Sequence, residues 1–175
     1  YQMPKTAVVA GSTGLVGNHL VQILAESQEY EAVIALVRKG SNVIYDGVFT
    51  VEVDFQRLSD FVDNLQADDM YCCLGTTMKK AGSKASFYQV DHTFPFELAK
   101  IAENNRSTRY NIITASGANP NSLFYYNRVK GDVEKAITKL NIPNINIFRP
   151  SLLLGDRSEK RMGEQIGAVI AKLIN

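Results

Sequence analysis

The sequence predicts an α/β fold, a doubly wound and mostly parallel sheet with helices on both faces. Six short runs rich in apolar and β-branched residues recur along the 175 residues, and helical patterns separate most of them. Each run is almost continuously apolar, which is typical of strands that are buried on both faces. Strands that alternate with helices are joined by right-handed crossovers, so we expect them to lie parallel.

The predicted strands are "VVA", "EAVIALV", "VFTVEV", "MYCCL", "RYNIIT" and "NINIFRP". The predicted helices are residues 15 to about 28, "LSDFVDNL", "SFYQVDHTFPFELAKIAENN" and "YYNRVKGDVEKAITKL". Pro95 in the third helix predicts a kink or a restart, because proline has no N–H to donate. We expect residues 1–175 to form one domain. The sequence stops inside the apolar-periodic "IGAVIAKLIN", so we also expect further chain beyond it.

Composition argues against several classes of partner. Nineteen Lys and Arg oppose 18 Asp and Glu, and no basic block is longer than Lys79-Lys80, so we expect no nucleic-acid partner. No apolar run approaches the roughly 20 residues of a membrane span. The adjacent Cys72 and Cys73 point to opposite faces of a strand, which suits buried, reduced thiols in a cytoplasmic protein. His19 and His92 have no cluster of potential ligands around them, so no metal site is expected.

Three glycines, Gly11, Gly14 and Gly17, follow the first strand at a spacing of three residues. A strand that turns directly into a helix leaves unpaired N–H groups and the positive end of the helix dipole, which together attract an anion. Gly11 would allow the tight turn, Gly14 would let a pyrophosphate approach the backbone, and Gly17 would let helix and strand pack closely. The alternative is a tight turn without a ligand. The residues predicted to bind a dinucleotide here are Gly11, Ser12, Thr13, Gly14, Leu15, Val16 and Gly17.

The end of the second strand predicts which dinucleotide binds. Arg38 and Lys39 lie about 20 residues after Gly17, where an acidic residue would hold a ribose 2′-hydroxyl. Two cations suit a 2′-phosphate instead, which favours NADP(H) over NAD(H). Alternatively, Arg38 is an exposed turn residue.

Two further strand ends carry candidate cofactor contacts. Asp54 follows the third strand and could accept from an adenine amine, although a helix N-cap explains it equally well. Leu74, Gly75 and Thr76 follow the fourth strand, where Gly75 would let the backbone pass close to the cofactor. Thr76 could cap a helix or contact the ribose.

Tyr126 and Lys130 are four residues apart on the predicted fourth helix and therefore share one face. Hydride transfer to a carbonyl needs a proton donor at the oxygen, and a cation within about 4–6 Å favours the phenolate needed for the reverse reaction. Thr114, at the end of the fifth strand, would orient the substrate oxygen, and Ser116 is a competitor for that role. Alternatively, Tyr126 packs on the alkyl stem of Lys130.

The motifs "GSTGLVG", "VRKGS", "CCLGTT", "ITASGANPNSLFYYNRVKGDVE" and "FRPSLLLGDR" together resemble the atypical short-chain dehydrogenase/reductases. The resemblance is to the branch around the HIV Tat-interacting protein and covers nearly the whole chain. It implies an NADP(H)-binding Rossmann domain in which Tyr126 is the acid/base, Lys130 contacts the ribose, and Thr114 replaces the more usual serine. It also implies that the backbone of residues 149–153 passes beside the nicotinamide, with Pro150 and Leu152 as cofactor contacts. Arg157 could meet an anion, whereas Arg149 could equally be a structural partner of a helix.

We therefore expect an oxidoreductase that uses NADP(H) and acts on a small carbonyl or hydroxyl compound. The alternative is an NADP(H)-binding regulatory or partner-binding protein without turnover. A nucleotide-sugar epimerase would use the same residues but needs a sizeable C-terminal domain. The resemblance also makes a homodimer plausible.

Overall fold

A computed structural model describes residues 4–151 and contains one sheet of six parallel strands. The strands are β1 (Lys5–Ala10), β2 (Tyr30–Val37), β3 (Val48–Glu52), β4 (Asp69–Cys72), β5 (Arg109–Ile113) and β6 (Asn144–Phe148). Their order in the sheet is β3-β2-β1-β4-β5-β6. β2 and β3 therefore lie on one side of β1, and β4, β5 and β6 lie on the other. The predicted doubly wound α/β fold is confirmed.

The helices are α1 (Leu15–Glu26), a 3₁₀ helix (Phe55–Asn64), α2 (Met78–Ala81), α3 (Lys84–Tyr88), α4 (Phe94–Asn104) and α5 (Tyr125–Ile137). A π-turn (Gln89–Thr93) joins α3 to α4, so the predicted long third helix is interrupted. Phe94 N–H donates to the carbonyl of Gln89, five residues earlier. The break has a local cause, because Pro95 has no N–H to offer the carbonyl of Asp91.

The core lies on both faces of the sheet, as continuously apolar strands require. Val8 and Ala10 of β1 pack with Leu98 and Val133 on the face covered by α4 and α5. Their neighbours Ala7 and Val9 belong to the cluster beneath α1. Cys72 packs among the first cluster, whereas Tyr71 packs against the second. Alternate residues of β1, β2 and β4 therefore fill two separate apolar layers. The edge strands β3 and β6 are not buried on both faces as expected, because each has a neighbour on one side only, and Phe49 and Phe148 are exposed.

The parallel register brings the strand ends to one edge of the sheet. Ala10 lies opposite Leu36 of β2 and Cys72 of β4, and Ile113 of β5 lies opposite Phe148 of β6. The segments that follow these strands therefore start side by side, and we call this the carboxyl edge.

A polar cluster closes the opposite edge. The Tyr30 hydroxyl donates to Asp69 Oδ2 at 2.6 Å and lies 2.9 Å from the Tyr71 hydroxyl. Arg109 Nη1 lies 3.1 Å from the same Asp69 oxygen, and Asp69 is completely buried. Burial and the hydrogen bond to Asp69 raise the pKa of Tyr30, so its phenol stays neutral. The cluster joins β2, β4 and β5.

Candidate active site

The glycine loop at the carboxyl edge has no room for side chains at two of its three glycines. Gly11 has φ +78°, and a Cβ there would lie 2.5 Å from the carbonyl oxygen of Cys73. A Cβ on Gly17 would lie 2.1 Å from the carbonyl oxygen of Gly11. A Cβ on Gly14 would touch only that same oxygen, at 3.3 Å. The contacts agree with a tight turn at Gly11, close helix packing at Gly17 and open space beside Gly14.

Helix α1 begins directly at this loop without a side-chain cap. Gly14 is the N-cap residue and no side chain accepts from the first amides of the helix. The Ser12 hydroxyl donates to the carbonyl of Leu36 at 2.9 Å and is completely buried, so this side chain joins the loop to β2. Ser12 can therefore meet a ligand only through its backbone, whereas Thr13 is exposed. Uncapped amides at a helix start are suited to an anion.

The ends of β2 and β3 present one exposed cationic segment and one capping carboxylate. Arg38 and Lys39 directly follow β2 and are exposed. Asp54 Oδ1 accepts from the Gln56 N–H at 2.9 Å and thus caps the 3₁₀ helix. The capping alternative for Asp54 is therefore observed, and its contact with an adenine stays a prediction.

The loop after β4 passes next to the glycine loop. The Cys73 N–H donates to the carbonyl of Ala10 at 2.8 Å, and the half-buried Leu74, Gly75 and Thr76 follow. The Thr76 N–H donates to Asp91 Oδ2 at 2.9 Å. Thr76 does not cap α2, because the Thr77 hydroxyl accepts from the Lys80 N–H instead.

Tyr126 and Lys130 lie one turn apart on α5 in different surroundings. Tyr126 is 37% exposed, with its ring 5.7 Å from that of Phe87. Lys130 is 4% exposed, and its Nζ lies 2.7 Å from Oδ1 of the buried Asp91. The contact is an ion pair without hydrogen-bond alignment. The sequence analysis did not identify Asp91, whose charge offsets part of that of Lys130. The available signal was its position four residues before Pro95, where the helix is expected to break.

The two candidate hydroxyls at the end of β5 also differ. Thr114 is 5% exposed, and its hydroxyl donates to Glu134 Oε1 at 2.6 Å. Arg149 Nε donates to the same Glu134 oxygen at 3.0 Å, so the structural alternative for Arg149 is observed. Ser116 is exposed, and its N–H donates to the carbonyl of Pro150 at 3.1 Å. Glu134 thus engages the Thr114 hydroxyl inside the fold, while the Ser116 side chain stays accessible.

A cavity of about 620 Å³ lies on the α1 face of the sheet. Its lining is mostly apolar and includes Leu20 of α1, Tyr71 of β4, Ile113 of β5 and Phe148 of β6. Of the predicted cofactor contacts, its lining contains Val16 and Pro150. Ile113 and Phe148 are the last residues of their strands, so the cavity reaches the carboxyl edge, and neither Tyr126 nor Lys130 is among the described residues that line it.

The predicted contacts Leu152 and Arg157 lie outside the described residues. Within residues 4–151 no group of three or more His, Cys, Asp or Glu side chains could hold a metal ion. None of the helices in that part of the chain is long and apolar enough to cross a membrane.

The strand order, the glycine loop before α1 and the Tyr126–Lys130 pair on α5 define a Rossmann-fold protein of the nucleotide-binding class. Comparison with known families agrees with this class. The chain belongs to the NAD dependent epimerase/dehydratase family, which it matches over residues 7–175.

Curated relatives extend the comparison. "Protein FMP52, mitochondrial" of Candida glabrata is 35% identical over 159 residues, which cover 91% of this chain and 68% of the relative. "Protein HTATIP2" of Rattus norvegicus is 32% identical over 164 residues, covering 91% and 67%. The predicted resemblance to the Tat-interacting-protein branch is confirmed. Because the FMP52 relatives are named mitochondrial, the cytoplasmic location stays a prediction.

Solved structures support the fold alone. Two Bordetella bronchiseptica enzymes in complex with NAD or NAD+, WbmG and WbmH, superpose with TM-scores of 0.74 and 0.76 at 12% and 14% identity. Each match covers 97% of this chain but only 61% and 63% of the enzyme, respectively. The chain therefore spans about three fifths of the length of these enzymes.

Proposed function

We propose that this chain binds NADP(H) and transfers hydride between it and a carbonyl or hydroxyl group of a small molecule. The observation that carries the proposal is the convergence at one sheet edge of the uncapped glycine loop, the exposed Arg38 and the helix that bears Tyr126 and Lys130. A cofactor that crosses this edge would meet a phosphate site, a ribose site and a proton donor in turn.

The preference for NADP(H) depends on Arg38 and Lys39. Both side chains are exposed beside the glycine loop, because Ser12 holds that loop to the end of β2. A guanidinium can pair with a 2′-phosphate through two parallel hydrogen bonds, which a ribose hydroxyl cannot match. Asp54 uses only Oδ1 to cap the 3₁₀ helix. Its other carboxylate oxygen could accept from the adenine amine.

The residues on α5 would handle the proton. Bound NADPH supplies the hydride. Tyr126, accessible at the first turn of α5, would donate its phenolic proton to the substrate oxygen, and Lys130 would hydrogen-bond the nicotinamide ribose. The structure favours Ser116 over the predicted Thr114 as the orienting hydroxyl, because Thr114 is already bonded to Glu134.

Thermal unfolding with NADPH and NADH tests the binding step. A ligand at 100 times its dissociation constant adds about 2.7 kcal/mol of stability. We expect a rise in Tm with NADPH, little with NADH, and loss of the NADPH effect in Arg38→Asp. Lys139→Asp makes the same charge change after α5, on an exposed residue, and should keep the effect. An unchanged NADPH effect in Arg38→Asp would show that the 2′-phosphate does not bind there.

A second candidate function is cofactor binding without turnover. Lys130 and Thr114 are both engaged with buried carboxylates, as a purely structural role would require. A screen of carbonyl compounds with NADPH separates the two functions. For an enzyme, Tyr126→Phe should abolish turnover while NADPH affinity stays within a few-fold. In the same screen Ser116→Ala should lower turnover more than Thr114→Val. The reverse order would identify Thr114 as the hydroxyl that orients the substrate.

A further inference from the structure

The π-turn places a carboxylate in the interior between two elements of the candidate site. Asp91 is 1% exposed, and each of its oxygens meets a different element. Oδ2 accepts the Thr76 N–H of the loop after β4 at 2.9 Å, and Oδ1 lies 2.7 Å from Lys130 Nζ on α5. π-turns inside helices often occur at functional sites.

Other groups around Lys130 do not replace this counter-charge. From β4, the Cys72 thiol feels the Lys130 charge, but burial raises the pKa of Cys72 and keeps the thiol neutral. On α5 itself, Glu134 lies one turn away and is already paired with Arg149. Tyr126 lies one turn away in the other direction and offers a hydroxyl, not a carboxylate. Asp132, also on α5, acts on Tyr88 and His92.

We propose that Asp91 is a positioning residue that keeps Lys130 charged. It also holds Lys130 and the backbone of Thr76 in place beside the bound dinucleotide. The inference rests on the proposed function, since it assigns Lys130 to the cofactor ribose. Asp91 touches neither substrate nor cofactor in this role. It acts through Lys130 and through the backbone of the loop after β4.

The charge of Asp91 is what this role requires. A buried ammonium without a counter-charge loses its proton more readily, because burial penalises the charged form. Asp91→Asn keeps an oxygen that can accept from Thr76 and removes only the charge. In this variant Lys130 loses its proton as pH rises, and its contact with the cofactor weakens with it.

The test is the NADPH dissociation constant measured from pH 7 to pH 9 in the unaltered chain, in Asp91→Asn and in Asp132→Asn. The control Asp132→Asn removes a carboxylate from α5 that acts on Tyr88 and His92 instead. We expect the ratio of the Asp91→Asn constant to the unaltered one to rise about ten-fold across this range. The same ratio for Asp132→Asn should stay flat. A merely structural role of Asp91 would weaken binding equally at every pH.

The outcomes separate this inference from the proposed function. If the unaltered chain binds no dinucleotide, both fail. If it binds NADPH and the Asp91→Asn ratio is constant with pH, only the positioning role is overturned. If Asp91→Asn does not fold, the double variant Asp91→Asn with Lys130→Met, which buries neither charge, should fold and bind weakly without extra pH dependence. Failure of the double variant to fold would make the pair a folding requirement only and would overturn the role.

Discussion

Of the three glycines in the candidate site's loop, Gly17 of α1 leaves the least room for a side chain, because it lies against Gly11. A methyl group at Gly17 would meet the Gly11 carbonyl carbon at 2.7 Å and its oxygen at 2.1 Å, so helix and loop would have to separate. Gly14 has φ −82° and ψ 171°, which any residue adopts, and a methyl group there would meet only the Gly11 carbonyl oxygen, at a tight 3.3 Å. Gly17 therefore serves packing, whereas the role of Gly14 beside a ligand stays a prediction.

We expect Gly17→Ala to affect mainly stability and Gly14→Ala to affect mainly cofactor binding. Gly17→Ala should lower the free energy of unfolding in urea by about 2 kcal/mol, because an overpacked backbone contact must relax. Gly14→Ala should change stability by less than about 1 kcal/mol but weaken NADPH binding measured by calorimetry. Equal stability of the two variants would contradict the assignment of Gly17 to packing.

At the scale of single residues, the sequence predicts the glycine loop well but not the partners of buried charges. The roles of Gly11 and Gly17 follow from local spacing, because the strand, turn and helix are contiguous. The Asp91–Lys130 and Thr114–Glu134 contacts join residues that are far apart in sequence. Such pairs depend on how α4 and α5 pack on the sheet, which no local pattern specifies. The engaged Thr114 hydroxyl therefore could not be foreseen.

Among the elements, the segment from α3 to α4 departs most from its prediction. Pro95 predicts a break, and the break is a π-turn that directly connects α3 to α4. The Tyr88 and His92 rings stack along this segment with centroids 4.4 Å apart, and the tilted Phe96 ring lies 6.2 Å from His92. All six strands were predictable from their apolar runs, although the edge strands β3 and β6 are not buried on both faces. The π-turn was not predictable, because its hydrogen-bond pattern has no sequence period.

The His92 ring in this stack should make stability depend on pH. Burial lowers the pKa of His92 below its ordinary value of 6.5, so the folded chain favours the neutral ring. Its contribution is fully present above pH 6.5 and is lost as pH falls toward the lowered folded pKa, because the unfolded chain binds the proton first. Urea unfolding at pH 7 and pH 5 should show a smaller loss for His92→Phe than for the unaltered chain. An identical loss would remove His92 as the source.

Across the whole molecule, the candidate site is assembled from segments that meet only at the carboxyl edge of the sheet. The glycine loop, the turn after β2 and the loop after β4 come from separate parts of the chain. The parallel orientation of the strands was predictable from the alternation of strands and helices. It brings these segments together, although no local sequence pattern indicates that they contact one another. A ligand on that edge would therefore touch several distant segments at once.

We expect NADPH to slow amide hydrogen exchange in all three segments together. Peptides that contain residues 11–17, 38–40 and 74–77 should become protected, because one bound molecule spans them. Peptides from the opposite edge, around Tyr30 and Arg109, should not change. Protection confined to residues 11–17 would indicate a bound phosphate alone and contradict a dinucleotide across the edge.

The cluster of Tyr30, Tyr71, Asp69 and Arg109 has a practical consequence for engineering this chain. It ties three strands together at the edge away from the glycine loop. A library of substitutions around it could therefore be selected for heat resistance without touching the residues proposed to handle the cofactor. Conversely, a library directed at the carboxyl edge would explore new specificity while the far edge keeps the strands in register.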